Sequence, residues 1–425
     1  MQGKFDAIVI GSGPGGATVA RELSRREARV LILERGSSVE IRGTMLQFMA
    51  MGLVPGRNLL VTEELLMLIR ATILGGSSIM AYATAFEPPY AMFERHGIDL
   101  KRDVEDTKRE LPIAPLADEL IGPAARRIMQ NAKDLGYAWA KLPKIVNQEK
   151  CLPDCDKCTM GCPHGAKWNA RVYIAEACAQ GATLLTDATV TRLGIRDGRV
   201  DSVDFSKDGA KHRVSAPLVI LSAGGIGTPP ILRASGVTNV GNDFFFDPLV
   251  IVNGTVDNLH GGKEFPMAAG MYDAAEGYLL TDLIWPRWLY TVFTTEVFRF
   301  DRIASHSNTL SIMVKIKDDL GGRLTARGGV SKRLTEKDRT RLARGADVAR
   351  KILKQAGAQH VFQTWYTAVH PGGTAKIGDV VDSNLRSRLE NLYVCDCSVI
   401  PESWGLPPTL TIIALGRRLA RHLAQ

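Results

Sequence analysis

Phe5-Asp-Ala-Ile-Val-Ile-Gly11-Ser-Gly13-Pro-Gly15-Gly16 passes from a short apolar run into a glycine-rich turn. The run at 5–10 reads as a buried parallel strand. The turn has the spacing Gly11-x-Gly13-x-x-Gly16, and an amphipathic helix from about Ala17 to Arg26 follows. Gly11 permits the tight turn, Gly13 lets the backbone approach a pyrophosphate, and Gly16 lets helix and strand pack closely. The pyrophosphate would sit on the free N–H groups at the helix N-terminus. A second strand, Arg29 to Leu33, ends at Glu34, where a carboxylate can accept from a ribose 2′-OH. This is a dinucleotide-binding βαβ opening. By itself it does not separate NAD from FAD.

Beyond this unit, residues 40–74 are rich in Met and Leu and read as mostly helical, until Gly75-Gly76-Ser77-Ser78 breaks the pattern. Residues 91–135 read as charged helices interrupted by prolines. A helix from about Asn169 to Ala179 leads to a strand Thr183–Leu193, a hairpin at Gly198 and a buried strand Leu218–Leu221. Strand-like stretches such as Leu310–Lys315 follow. Thr335 is placed to cap a helix running to Ala356, Leu392–Val394 is a strand, and Leu410–Leu423 is the closing helix.

The 425 residues suggest two or three domains, and the apolar and charged fractions are those of a globular protein. They exclude a disordered chain and a small disulfide scaffold. No apolar run reaches the ~18–20 residues of a membrane span. The N-terminus enters a strand directly, without the pattern of a secretory signal, so a cytoplasmic location is expected. Residues 323–354 carry eleven Lys/Arg against three acids, which accounts for the formal charge of +8. They read either as a solvated helix face or as a dock for an acidic partner. That window has no aromatic residue to stack on bases, so no nucleic-acid partner is expected.

The C-terminal quarter carries a second constellation. His370-Pro-Gly-Gly-Thr374 is followed by Val380-Val381-Asp382, by Asn391-Leu-Tyr-Val-Cys-Asp396-Cys-Ser398, and by Gly405-Leu-Pro-Pro408-Thr409-Leu-Thr. With the N-terminal turn, Gly75–Ser78 and Ala223-Gly224-Gly225-Ile-Gly227-Thr-Pro, this resembles the glucose–methanol–choline flavin oxidoreductases. The resemblance spans both ends and the middle of the chain. It implies an α/β fold: a Rossmann-like FAD-binding domain built from discontinuous segments, with a smaller sheet-based substrate domain. We expect 1–90, 165–255 and 360–425 in the FAD-binding domain, 91–164 as an insertion, and 255–360 as the substrate or cap domain.

The resemblance implies FAD held by Gly11, Gly13, Gly15, Gly16, Glu34, Gly75, Gly76, Ser77 and Ser78. Val190 would lie at the adenine, Asp396 at the ribityl or pyrophosphate region, and Pro408 and Thr409 near the flavin pyrimidine. His370 matches the family's catalytic histidine, and an imidazole suits the removal of a hydroxyl proton. One position departs from the family. Pro407 stands where the family places a His or Asn, and Tyr366, Trp365, His164 and His306 are candidates to replace it.

Cys151-x3-Cys155-x2-Cys158-x3-Cys162-Pro163 is a tight thiol cluster. Thiolates select iron–sulfur clusters, zinc or Cu(I), and the spacing is one residue longer in its first gap than a ferredoxin run. The residues leave an iron–sulfur cluster (4Fe-4S or 3Fe-4S), a structural zinc and metal-free thiols open. Gly165-Ala-Lys-Trp after them resembles the iron–sulfur branch of the family, the flavin dehydrogenases of glucose, sorbitol and gluconate. Cluster-free long-chain alcohol oxidases also carry cysteines before a Gly-x-Lys.

The expected function is oxidation of an alcohol CH–OH to a carbonyl by an FAD-dependent dehydrogenase with His370 as base. Electrons would leave through the cluster to a carrier protein or partner subunit. A reductase working in the opposite direction on C=C or C=O, and an electron-transfer subunit of a larger complex, are the alternatives. Leu283–Phe293 and Met45–Leu60 are rich in large apolar groups. They read as core, as an apolar substrate channel, or as a peripheral membrane contact.

Overall fold

A computed structural model describes residues 4–326 and 328–424. Arg327 of the basic window lies outside them. Ala7–Ile10 sits at the centre of a five-stranded parallel sheet, ordered Leu392–Val394, Leu218–Leu221, Ala7–Ile10, Val30–Leu33, Thr183–Leu185. The central strands are almost wholly apolar and buried, as a parallel sheet covered on both faces requires. The helix Pro14–Ser24 packs against the last helix, Thr409–His422, and against Arg171–Ala179. Chain ends and middle are thereby joined in one layer.

A second, mostly antiparallel sheet of nine strands carries the other half of the molecule. Its centre is Pro248–Thr255 paired with Thr309–Ile316, both buried along their whole length. The helix Glu336–Gln355 covers one face, its start fixed by a capping box between Thr335 and Asp338. Side chains of a strand alternate between faces. Leu310, Ile312, Val314 and Ile316 therefore join the core under this helix, while Met313 and Lys315 face the opposite way. Within the basic window, Lys332, Arg339, Arg341, Arg344 and Arg350 pair with Asp318, Glu64, Asp319, Glu276 and Asp347.

Two local expectations are corrected. Residues 40–74 hold one helix, Met45–Gly52, and then the strands Leu59–Val61 and Met67–Ile69 of the second sheet. Pro55-Gly56 ends the helical run, and apolar stretches this short fit either period. The expected strand Thr183–Leu193 is broken at Asp187, which is left-handed at φ 55°. Thr183–Leu185 stays in the parallel sheet, and Thr189–Arg196 turns into a three-stranded antiparallel sheet. Among the described residues no helix is long and apolar enough to cross a membrane.

Candidate active site

The carboxyl ends of the parallel strands open into a cavity of about 720 Å³ that runs on to the second sheet. Gly11, Gly13 and Gly15 line it at the N-terminus of the Pro14–Ser24 helix. A Cβ on Gly11, Gly15 or Gly16 would come 2.2, 1.9 and 2.1 Å from the backbone oxygens of Ser222, Cys395 and Gly11. Those glycines answer to packing. A Cβ on Gly13 would meet nothing within 4 Å, so the first turn of the helix lies open to the cavity. This is the cradle a pyrophosphate needs.

Glu34 is buried at the cavity wall. Its Oε2 accepts from Ser12 N (2.9 Å) and Ser12 Oγ (2.6 Å), and its Oε1 from Gly36 N (2.6 Å). Burial pushes its carboxyl above the ordinary range. Gly75, left-handed at φ 92°, donates to Ser12 Oγ (2.8 Å) and starts a short turn that brings Gly76, Ser77 and Ser78 to the wall. Gly16 and Gly75 stand behind the lining rather than in it. Val190 lines the cavity from its antiparallel strand, and Pro408 and Thr409 line it at the start of the last helix. Asp396 reaches the wall and accepts from Gly224 N (2.8 Å), Thr228 Oγ1 (2.6 Å) and Ser398 N (2.7 Å). Three stretches far apart in sequence are thus brought to one cavity, and the open helix turn and glycine-lined wall fit an extended dinucleotide.

His370 lines this cavity too, just after Thr367–Ala368 of the second sheet. Its Nδ1 lies 3.0 Å from Asp247 Oδ2. With that nitrogen carrying the proton, as the carboxylate contact assigns it, Nε2 keeps its lone pair. Burial, with the nearby Lys315 ammonium, holds the imidazole below the ordinary histidine range, against the opposing pull of Asp247. Pro407 lines the cavity too. None of the expected replacements for a polar side chain there reaches the lining. Trp365 is exposed, His306 Nε2 is bonded to Trp285 O (2.8 Å), Tyr366 packs under the second sheet, and His164 lies by the cysteines. The polar side chains beside His370 are instead Lys315 and Asp247. Sequence reasoning passed over both, although a lysine closing an apolar strand and an aspartate after Phe244-Phe-Phe246 are the kind of signal that could have found them.

The apolar stretches converge on the same cavity. Trp285, Leu289, Val292 and Phe293 line it, and so do Phe48 and Leu53, which pack in one cluster with Leu289 and Phe293. Phe48 meets Trp288 edge-on at 5.3 Å.

Cys151, Cys155, Cys158 and Cys162 line one small separate cavity, with His164 and Phe265. Burial pushes the Cys151 thiol up to about 11 and Cys158 up to about 12, so as free thiols they would be inert. Lys167 N donates to Cys162 Sγ (3.4 Å). Among the described residues no three acidic, His or Cys side chains are gathered as a single ion requires. The loop is clamped to the large cavity. Lys167 Nζ, fully buried, donates to the carbonyls of Cys158 (2.7 Å), Ile79 (2.7 Å) and Ala81 (2.5 Å), and Ala81 is part of the large cavity's wall. Thr159, next to Cys158, lines the large cavity itself and bonds Tyr82 Oη (3.1 Å).

Known proteins resemble this chain in sequence and in fold. The chain is 26% identical over 422 residues to an uncharacterized protein of Methanocaldococcus jannaschii, covering 99% of this chain and all of that one. It is 21% identical to a long-chain-alcohol oxidase of Arabidopsis thaliana, over 99% of this chain and 68% of the relative. Among solved structures, pyridoxine 4-oxidase from "Mesorbium loti" superposes with a TM-score of 0.76 at 17% identity, over 99% of both chains. The sequence patterns described as "GMC oxidoreductase" match residues 5–249 and 330–416. With a glycine-rich helix turn and a histidine lining one cavity, the chain belongs to the GMC oxidoreductase family and is an FAD-dependent flavoenzyme.

Proposed function

We propose that this enzyme oxidises an apolar alcohol to a carbonyl compound. We further propose that its electrons leave through an iron–sulfur cluster held by Cys151, Cys155, Cys158 and Cys162 to a carrier protein. The observation that carries the first part is the hydrogen bond from His370 to Asp247 at the cavity wall. FAD, when bound, supplies the hydride acceptor. His370 takes the hydroxyl proton on Nε2 as the alcohol carbon gives up its hydride, and Asp247 keeps the ring oriented through Nδ1. Gly13 and the first turn of its helix would hold the FAD pyrophosphate. Trp285, Leu289 and Phe293 exclude water from the reacting carbon and receive the alkyl part of the substrate. The relative named as a long-chain-alcohol oxidase points to the same substrate class. Exposed apolar side chains on the helix Met45–Gly52, with Val292 at the lining, suit delivery of such a substrate from a lipid surface.

The cysteine reading is supported by the donor set. Four thiols line one cavity, with a backbone N–H on one sulfur, and soft thiolates at this spacing suit cluster ligation. Such a cluster would supply one-electron transfer next to the two-electron site. Anaerobic purification with an absorption spectrum, iron and sulfide analysis, and bleaching by a series of alcohols tests both parts. Flavin bands bleached by an alcohol, with iron and sulfide in cluster ratio, are expected. Bleaching without iron, followed by rapid reoxidation by O₂, would leave an oxidase and remove the cluster. No bleaching by any alcohol would remove the substrate class and bring forward reduction of C=C or C=O.

A further inference from the structure

Lys315 is a fully buried lysine on the cavity face of the central strand Thr309–Ile316; burial lowers its ammonium from the ordinary range, and Asp247 and Asp318 oppose that by favouring the charged form. Its Nζ lies 3.2 Å from Asp247 Oδ2 and 3.4 Å from His370 Nδ1. One carboxylate oxygen therefore serves both the ammonium and the imidazole. Among the described residues, the other polar and charged groups packed around it have partners of their own or stay uncharged. Asp318 accepts from the backbone N–H of Asp247 (3.1 Å) and is cancelled by Lys332 at 2.8 Å. Tyr272 donates to Trp404 O (2.9 Å), and burial keeps the Tyr272 hydroxyl and the Cys397 thiol protonated. Ser403 Oγ reaches Asp247 Oδ1 at 3.4 Å and carries no charge.

We propose that Lys315 is a positioning residue whose ammonium cancels the charge of Asp247, leaving that carboxylate to orient the His370 ring without making it an imidazolium. The inference rests on the reading of His370 as base. A lone buried carboxylate beside an imidazole favours the charged ring, since the attraction is strong where water is excluded. An imidazolium cannot accept the substrate proton. An ammonium on the same oxygen removes that pull and leaves the hydrogen bond intact. The downward displacement of His370, to which Lys315 contributes, agrees with this arrangement.

The test is a pH titration of the His370 imidazole in the FAD-loaded enzyme by NMR with labelled histidine. The signal is assigned among the eight histidines by its loss in His370→Asn. Lys315→Met and Lys315→Gln both remove the charge, and the second keeps a hydrogen-bond donor for Asp247 should the first fail to fold. In either variant the titration midpoint is expected to rise, and the acid limb of kcat/KM to move to higher pH with it. Lys315→Arg is expected to keep the wild-type midpoint, and Asp247→Asn to lower it. An unchanged midpoint in a folded charge-removing variant would overturn the proposal. So would a fall in kcat/KM uniform across pH, which would make Lys315 a substrate contact. If the midpoint rises as expected while His370→Asn retains turnover, the electrostatic arrangement stands and the assignment of the base fails.

Discussion

Asp247 and His370 face each other at 3.0 Å, and both are left-handed residues followed directly by a proline. Their φ angles are 42° and 51°. Such a conformation costs a side-chain-bearing residue about 1–3 kcal/mol, and it persists where the surroundings over-determine it. Here the next residue of one begins the strand Pro248–Thr255, and the other follows the strand Thr367–Ala368 closely. The backbone of the second sheet thus sets His370 at the cavity lining and Asp247 behind it, in contact with the ring.

Asparagine tolerates the left-handed region, so His370→Asn removes the base while sparing the backbone. This variant is expected to bind FAD normally and to lose about 10²–10⁴ in kcat/KM for the alcohol. In the wild type the imidazole is held below its ordinary value, so as the proposed base it would work unprotonated. Activity should therefore persist below the ordinary histidine midpoint of about 6.5 and fall only at lower pH. An acid limb above that value, or one retained in His370→Asn, would exclude His370.

Gly13 and Gly15 lie two apart and should answer differently to the same methyl group. Gly13→Ala meets no protein atom, so the fold should keep its melting temperature without FAD while FAD affinity drops at least tenfold. Gly15→Ala drives its Cβ against the carbonyl of Cys395 and should give little folded protein. Equal FAD affinity for Gly13→Ala and wild type in equilibrium dialysis would move the pyrophosphate away from this turn.

Cys158 and Thr159 are consecutive residues facing different cavities. If the thiols hold a cluster, Cys158→Ser should lower iron content well below the about four atoms per chain of a cubane. Flavin reduction by the alcohol in a single turnover should stay within about twofold, because Nε2 of His370 and the glycine turn are untouched. Turnover with a one-electron acceptor should fall at least tenfold. Equal loss in both assays would make the cysteine loop a structural brace.

The parallel sheet was legible because its strands are short apolar runs with glycine turns at fixed offsets, and this information is local. His370 and Asp396 were picked out only through resemblance, since a loop histidine and a strand-end aspartate carry no periodicity. Lys315 and Asp247 were missed for a different reason. Their meaning lies in the pairing of Pro248–Thr255 with Thr309–Ile316, where Leu249 lies opposite Lys315, and no local pattern encodes that register. The strands at 59–69 read as helix because both periods fit so short a run. Only their pairing to each other, and through Met67–Ile69 to Thr367–Ala368, decides it.

The apolar lining sets a chain-length rule for the substrate. Trp285, Leu289, Val292 and Phe293 lie along one wall of the cavity that holds His370. Each methylene taken out of water contributes about 0.8 kcal/mol. Along a series of linear alcohols kcat/KM should then climb about three- to fourfold per carbon, until the chain outgrows the wall. Val292 lines the cavity and is half exposed, at 51%, so it sits where the wall meets solvent. Val292→Asp should flatten the slope for the longer alcohols and leave the shortest ones unaffected, because the reacting carbon stays at His370. A flat series in the wild type would show that the apolar wall packs the protein rather than the substrate.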